Sequence, residues 1–176
     1  IVKPPAIDLV NADLLNSHVH AEWLAAAREG LGKSIPENLD MNESGLPVCD
    51  RLNSAFAVAT ADTAAQARAE RIVASALPPG ISPEIGDAAE FVSERWLDAA
   101  KAFGKAFDRW RTLYRSAQEE RRAAAALGDR SGISAQERRD ARSRYAAADK
   151  QVELLASGVS SASSDFYAYR YLATEG

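Results

Sequence analysis

The sequence predicts an all-α fold in which a long antiparallel, coiled-coil-like helical hairpin is the largest feature. First, apolar residues between Ala88 and Leu127 follow one another at alternating steps of four and three, which keeps them on one stripe of a helix. Second, the same spacing recurs between Ser134 and Ser157. Third, the link between the two segments is only Gly128–Gly132, so the helices should be antiparallel neighbours. The two apolar stripes are Trp96, Ala100, Phe103, Phe107, Trp110, Tyr114 and Ala117, and Ala141, Tyr145, Ala148, Val152 and Leu155.

The composition is that of a globular helical protein. The chain has 176 residues, of which 47% are hydrophobic and 26% are charged, so it can bury a core and is not expected to be disordered. Alanine, the strongest helix former, makes up much of the apolar share. We expect one domain with a helical base (residues 1–87), a hairpin arm (residues 88–157) and an aromatic tail (residues 158–176) that docks on the body.

Local signals place the shorter elements of the base. Pro4 and Pro5 exclude a helix interior, so residues 1–7 should be extended. Within the arm, Ser134 is followed three residues later by Glu137, a capping box that should open the second helix. The helices expected in the base run from about Asp13 to Glu29, from about Asp50 to Val58 and from about Thr63 to Leu77.

Charge is distributed unevenly along the chain. Residues 1–100 carry a net charge of −8 and residues 145–176 a net charge of −2, whereas residues 101–144 carry +6. The basic residues of the arm recur at helical spacing, outside the apolar stripe. They form either a solvated face paired with nearby carboxylates or a surface that contacts nucleic-acid phosphates. The candidate nucleic-acid-binding residues are Lys101, Lys105, Arg109, Arg111, Arg115, Arg138 and Arg142.

Motifs for catalysis, cofactors and metals are weak. Ala27-x4-Gly32-Lys33-Ser34 resembles a phosphate-binding loop, but a predicted helix precedes it and a proline follows, so we expect a helix end there and no ATP binding. His18 and His20 lie on different helix faces and cannot chelate one metal together. The single Cys49 excludes an intramolecular disulfide and suits a reducing, cytoplasmic location. We expect no catalytic residues, no cofactor, no metal and no membrane span.

Three stretches resemble a known family. They are Pro4 to Leu24 (PPAIDLVNADLLNSHVHAEWL), Phe107 to Arg115 (FDRWRTLYR) and Ser164 to Gly176 (SDFYAYRYLATEG). Together they resemble the region that follows the second motor domain in large bacterial superfamily-2 DEAD/DEAH-box helicases, among them the DrmA-like helicases of DISARM antiphage defence. The chain begins at Ile1, and we expect it to be a piece of such a longer protein.

The resemblance implies that the parent protein is an ATP-dependent DNA helicase or translocase whose motor motifs lie outside these residues. The chain would then be an accessory helical domain that positions DNA or partner subunits against the motor domains of the parent chain. The alternative is a helical protein–protein interaction module with no nucleic-acid contact. The resemblance does not indicate which residues touch DNA.

Overall fold

The computed structural model describes residues 11–77 and 85–157, and the regular structure within these ranges is helical. Two short backbone segments pair only at an isolated bridge between Leu39 and Val48. The prediction of an all-α fold is confirmed, while the expected extended start and docked aromatic tail lie outside the described residues. The α-helices are α1 (Ala12–Ala27), α2 (Asp50–Ala61), α3 (Thr63–Ala76), α4 (Ala88–Lys105), α5 (Asp108–Gly128) and α6 (Ala135–Ala156), with a 3-10 turn at Ile35–Asn38.

The chain divides into two compact units that alternate along the sequence. The first unit comprises Ile1–Gly30 and Asp50–Phe103, and the second comprises Leu31–Cys49 and Gly104–Gly176. The loop between α1 and α2 therefore belongs to the same unit as α5 and α6.

The core of the first unit is organised around Thr60, near the end of α2. The indole N–H of Trp23 donates to its Oγ1 at 3.1 Å, and the indole N–H of Trp96 donates to its backbone oxygen at 3.3 Å. Both indoles are buried, so the two donors need these acceptors. Phe56 packs between the rings of Trp23 and Phe103, with ring centroids 4.6 and 4.9 Å away. Aromatic packing with paired polar atoms thus fixes the unit's interior.

The prediction of one continuous helix from Ala88 to Leu127 is wrong, because the helix is interrupted at residues 106–107. The amide of Phe107 donates three residues back to the carbonyl of Gly104 at 3.3 Å, and Phe107 has φ −92° and ψ 0°. Glycine weakens a helix interior, and the guanidinium of Arg111 binds the same Gly104 carbonyl at 2.6 Å. A new helix then begins at Asp108, whose negative charge suits a helix N-terminus.

Helices α5 and α6 pack as antiparallel neighbours in the second unit, and we call this pair the α5–α6 hairpin. Near its turn, a Cβ on Gly128 would lie 3.9 Å from the Cβ of Ala141. At the far end the indole N–H of Trp110 donates to the carbonyl of Leu155 at 3.1 Å. The predicted turn and antiparallel pairing are confirmed for α5 and α6. Coiled-coil packing of the pair stays a prediction.

Candidate nucleic-acid interface

The basic residues predicted to bind nucleic acid fall into three structural groups. Lys101, in the first unit, is exposed and lies 3.5 Å from the carboxylate of Asp98. In the second unit, side chains are exposed at Lys105, Arg109, Arg138 and Arg142. The third group is Arg111 and Arg115, which donate hydrogen bonds to carbonyls of the loop before α2, and of these two only Arg115 is exposed.

Arg111 holds the 39–48 loop against α5. Its Nε donates to the carbonyl of Leu46 at 2.8 Å, and its Nη1 donates to the carbonyl of Gly104 and to Oδ1 of Asp108. Only 11% of the side chain is exposed. A guanidinium buried among acceptors in this way has a structural role, so we leave Arg111 out of the proposed phosphate contacts.

Arg115 extends the same attachment one turn further along α5. Its Nη2 donates to the carbonyl of Gly45 at 3.0 Å and more weakly to that of Ser44 at 3.4 Å. The side chain stays exposed, unlike that of Arg111. We infer that two of the seven predicted ligands connect the second unit's loop to its hairpin.

Two further arginines form ion pairs between the helices of the hairpin. Arg121 on α5 lies 3.0 Å from the carboxylate of Asp149 on α6, and Arg144 on α6 lies 2.7 Å from that of Glu120 on α5. The sequence suggested that carboxylates would pair with part of the basic face, and Glu120 does so. These pairs link the two helices and neutralise basic charge along the middle of the hairpin.

The arginines that remain available lie toward the hairpin turn. Arg138 and Arg142 are one helical turn apart on α6 and exposed, and among residues 11–77 and 85–157 neither has a carboxylate within 4.0 Å. Glu137 is committed to the cap, since its carboxylate accepts the backbone N–H of Ser134 at 2.7 Å. That hydrogen bond, then the Ser134 hydroxyl and then Arg130, lower the pKa of Glu137. The cap thus occupies the carboxylate that precedes Arg138 in the sequence, and both arginines are exposed.

A cleft of about 310 Å³ lies beside Arg142, between the last turns of α5 and the first half of α6. The small residues there allow the helices to approach closely. Tyr145 borders the cleft together with residues of α5 and is 40% exposed, so less of it is buried than the predicted apolar stripe implies. The cleft is lined by Ala124, Ala125, Gly128, Asp129, Ala141, Arg142 and Tyr145.

The loop that resembles a phosphate-binding motif is closed by the chain's own side chains. The amide of Gly32 donates to Oδ1 of Asn38 at 2.7 Å, and the amide of Lys33 donates to Oε2 of Glu37 at 3.1 Å. A Cβ on Gly32 would lie 2.3 Å from that of Glu37, which explains the glycine. Helix α1 precedes this loop and a 3-10 turn follows it. The amides that would cradle a phosphate therefore have internal acceptors.

His20 lies in a separate cleft of about 390 Å³ between α1 and α4, lined in part by Arg95 and Asp98. Burial lowers the pKa of His20, Arg95 lowers it further, and Asp98 acts in the opposite direction. Within the described ranges, no three His, Cys, Asp or Glu side chains converge on a point that could hold a metal ion. His20 therefore has charged neighbours but no companion ligands there.

The chain matches no family model, no curated protein and no solved structure. In the part of the chain that the structure describes, no helix combines the length and the apolar composition that crossing a membrane requires.

Proposed function

We propose that this chain is an accessory helical domain of an ATP-dependent DNA helicase or translocase, and that its α5–α6 hairpin contacts DNA phosphates. The proposed DNA contact is supported by the exposure of Arg138 and Arg142 near the hairpin turn. Among the described residues, neither arginine has a carboxylate within 4.0 Å. The net charge of +6 over residues 101–144 favours an approaching polyanion. The helicase context, including a role in antiphage defence, rests on the sequence resemblance alone.

The proposed contact is to the backbone of DNA and carries no sequence information. Arginine presents a planar set of donors that matches a phosphate, and phosphate contacts fix position without reading bases. Lys105 and Arg109, exposed on either side of the break between α4 and α5, add positive charge in the same unit. Such a domain would hold DNA, or a partner subunit, beside the motor domains of the parent chain.

Binding of a 20-base-pair DNA duplex to the 176-residue chain, followed across a salt titration, tests this proposal. We expect weak binding that is equal for two unrelated sequences and falls steeply with salt, because each neutralised phosphate releases roughly 0.7–0.9 of a counterion. Replacing Arg138 and Arg142 together with Ala should weaken binding and reduce the salt slope by up to about two.

A charge-matched variant separates specific contact from general attraction. Lys33 and Arg71 are exposed and lie outside the hairpin, so replacing both with Ala removes the same net charge without touching the proposed surface. Equal loss of affinity in the two double variants would show that only overall charge matters. Absence of duplex binding at low salt would reject the DNA contact.

A protein–protein interaction module without nucleic-acid contact is the second candidate, and large apolar side chains on the surface favour it. Val58 and Leu97 in the first unit are 64% and 69% exposed, and Leu154 on α6 is 57% exposed. Because isolated exposed apolar residues are common on soluble proteins, their exposure alone does not establish an interface and a binding test is needed. If DNA binding is absent and substitution of Leu97 or Leu154 by Ser disrupts association with the motor domains, this candidate replaces the first.

A further inference from the structure

We propose that the cleft beside Tyr145 binds an unpaired base of single-stranded DNA, with Arg142 and Arg138 holding the adjoining phosphates. This inference rests on the proposed function, because it assigns a strand state and a base contact to the same hairpin. It differs from that function in requiring an aromatic ring as well as positive charge.

The two tyrosines of the hairpin have opposite environments. Tyr114 stacks on Trp110 with ring centroids 4.8 Å apart and an angle of 12°, and its hydroxyl accepts a hydrogen bond from Gln118. Tyr145 has neither a ring contact nor a hydrogen bond to any residue in the described ranges, and it is 40% exposed. Tyr114 is therefore part of the packing, whereas Tyr145 keeps 40% of its surface exposed and its hydroxyl has no hydrogen-bond partner among the described residues.

The cleft beside Tyr145 has the volume of a small ligand site. The cleft has a volume of about 310 Å³, at the lower end of the roughly 300–1,000 Å³ found for small-molecule sites. Its walls on α5 and α6 are formed by Ala124, Ala125, Gly128 and Ala141, whose small side chains leave room against the tyrosine. A base inserted there would stack on Tyr145 with the apolar wall of the hairpin beside it.

The charged groups at the cleft define where the backbone of the strand runs. Arg142 lines the cleft, and Arg138 lies one turn before it on the same side of α6. Asp129 is the carboxylate in the lining, and it would repel phosphates while accepting a hydrogen bond from the amino group of a base. Farther along α6, Asp149 is neutralised by Arg121. Phosphates are therefore directed to the Arg138–Arg142 side.

The geometry selects single-stranded over duplex DNA. Bases in a duplex are stacked on their neighbours, so a side chain in a cleft can stack only on a base that has left the helix. Proteins that bind single strands combine a basic groove with aromatic side chains, and the stacking tolerates any base because each has a π-face. On α6, Tyr145 supplies the aromatic side chain and the two arginines supply the positive charge, all within two helical turns.

The test compares the 176-residue chain and its variants for binding to a 20-nucleotide oligo-dT and to a 20-base-pair duplex at one salt concentration. Tyr145→Leu should weaken binding of the single strand at least about fivefold, the lower limit for losing one stacked base. It should change duplex binding less than about twofold. Tyr145→Phe keeps the ring and should keep single-strand binding.

A second variant changes the wall of the cleft that α5 forms. Ala125→Leu places a branched side chain in the cleft without altering charge or Tyr145, and it should also reduce single-strand binding selectively. Circular dichroism checks that each variant is folded. If Tyr145→Leu proves unfolded, Ala125→Leu decides the question alone by the same criterion: selective loss of single-strand binding supports the base site, and equal or no loss rejects it.

The outcomes separate this inference from the function on which it rests. If the chain binds neither DNA, the phosphate contact itself is rejected. If it binds duplex and single strand alike, and Tyr145→Leu and Ala125→Leu change neither or both equally, the base site is rejected while the phosphate contact stands. Selective loss of single-strand binding in both variants, with retention in Tyr145→Phe, establishes the site.

Discussion

The Nε atom of Arg111 lies 2.8 Å from the carbonyl oxygen of Leu46, a residue 65 positions earlier in the chain. Leu46 is buried and has a left-handed φ of 48°, a conformation that costs a non-glycine residue roughly 1–3 kcal/mol. The bond from Arg111 and burial of the leucine side chain offset that cost. A position predicted from the sequence to contact DNA thus stabilises a strained loop.

Arg111→Ala should lower the free energy of unfolding by about 1–3 kcal/mol, because it removes the guanidinium donor from the Leu46 carbonyl and one of two donors from the Gly104 carbonyl. Arg111→Lys should recover little of the loss, since an ammonium cannot reproduce the guanidinium's separated donors. Urea denaturation measures the effect. Arg122→Ala, which removes an exposed arginine from the same helix, is the control. Unchanged stability together with reduced DNA affinity would return Arg111 to the list of phosphate ligands.

Local signals predicted the starts of the short helices, whereas apolar spacing missed the break after Lys105. Helix α3 begins at Thr63 as expected, and the capping box at Ser134 is present, because caps and apolar spacing act over a few residues. The break after Lys105 lies next to Gly104, whose carbonyl accepts both the Phe107 amide and the Arg111 guanidinium, and the apolar spacing continues across it unchanged.

The candidate site was predicted less well than the fold, for a related physical reason. Helical spacing put Arg111 and Arg142 alike outside the apolar stripe, but it does not say which of them another segment will cover. Likewise the stripe cannot distinguish Ala148, which is buried, from Tyr145 at the edge of the same contact. Both distinctions arise from tertiary packing.

Removal of the hydroxyl acceptor at Thr60 should destabilise the first unit. Thr60→Val keeps the side chain's shape but leaves the buried indole N–H of Trp23 unpaired, for which we expect a loss of about 1–3 kcal/mol in unfolding free energy. The Trp96 bond, made to the backbone oxygen, should persist. Tryptophan fluorescence during urea unfolding provides the measurement. Thr60→Ser retains the acceptor, so a loss in that variant as large as in Thr60→Val would contradict the explanation.

Loss of the cap at Ser134 should weaken α6. The Ser134 hydroxyl accepts the amide of Glu137 at 3.1 Å, and replacing an N-cap serine with alanine costs about 1 kcal/mol. Ser134→Ala should therefore lower both the unfolding free energy and the helical signal in circular dichroism. Ser134→Asp supplies another acceptor and should restore stability. Ser143→Ala, an exposed serine in the middle of the same helix, serves as the matched substitution.

The stability of the chain should rise with pH because of His20. Its pKa in the folded chain is lowered from 6.5 by burial and then by Arg95, so between the lowered pKa and 6.5 the unfolded chain binds more protons than the folded chain. Stability contributed by neutral His20 is therefore full above about pH 6.5 and decreases as the solution is acidified through that value. Urea unfolding at several pH values between 5 and 8 measures the slope.

His20→Gln should flatten that slope in the same pH range. His18, exposed on the same helix, offers the matched substitution His18→Gln. If the pH dependence of stability survives in His20→Gln and disappears in His18→Gln, the effect comes from His18 and the explanation given for His20 is wrong.

The alternation of the two units along the chain has a consequence for synthesis on the ribosome. The 39–48 loop emerges well before α5, and at about 5–20 residues per second the 65 positions between Leu46 and Arg111 take roughly 3–13 s to translate. During that delay the carbonyls of Ser44, Gly45 and Leu46 lack the arginine donors of α5. The first unit, whose segments end at Phe103, is by then fully synthesised. Folding of the nascent chain should thus begin with the first unit, and the loop can attach only after Arg111 and Arg115 have been synthesised.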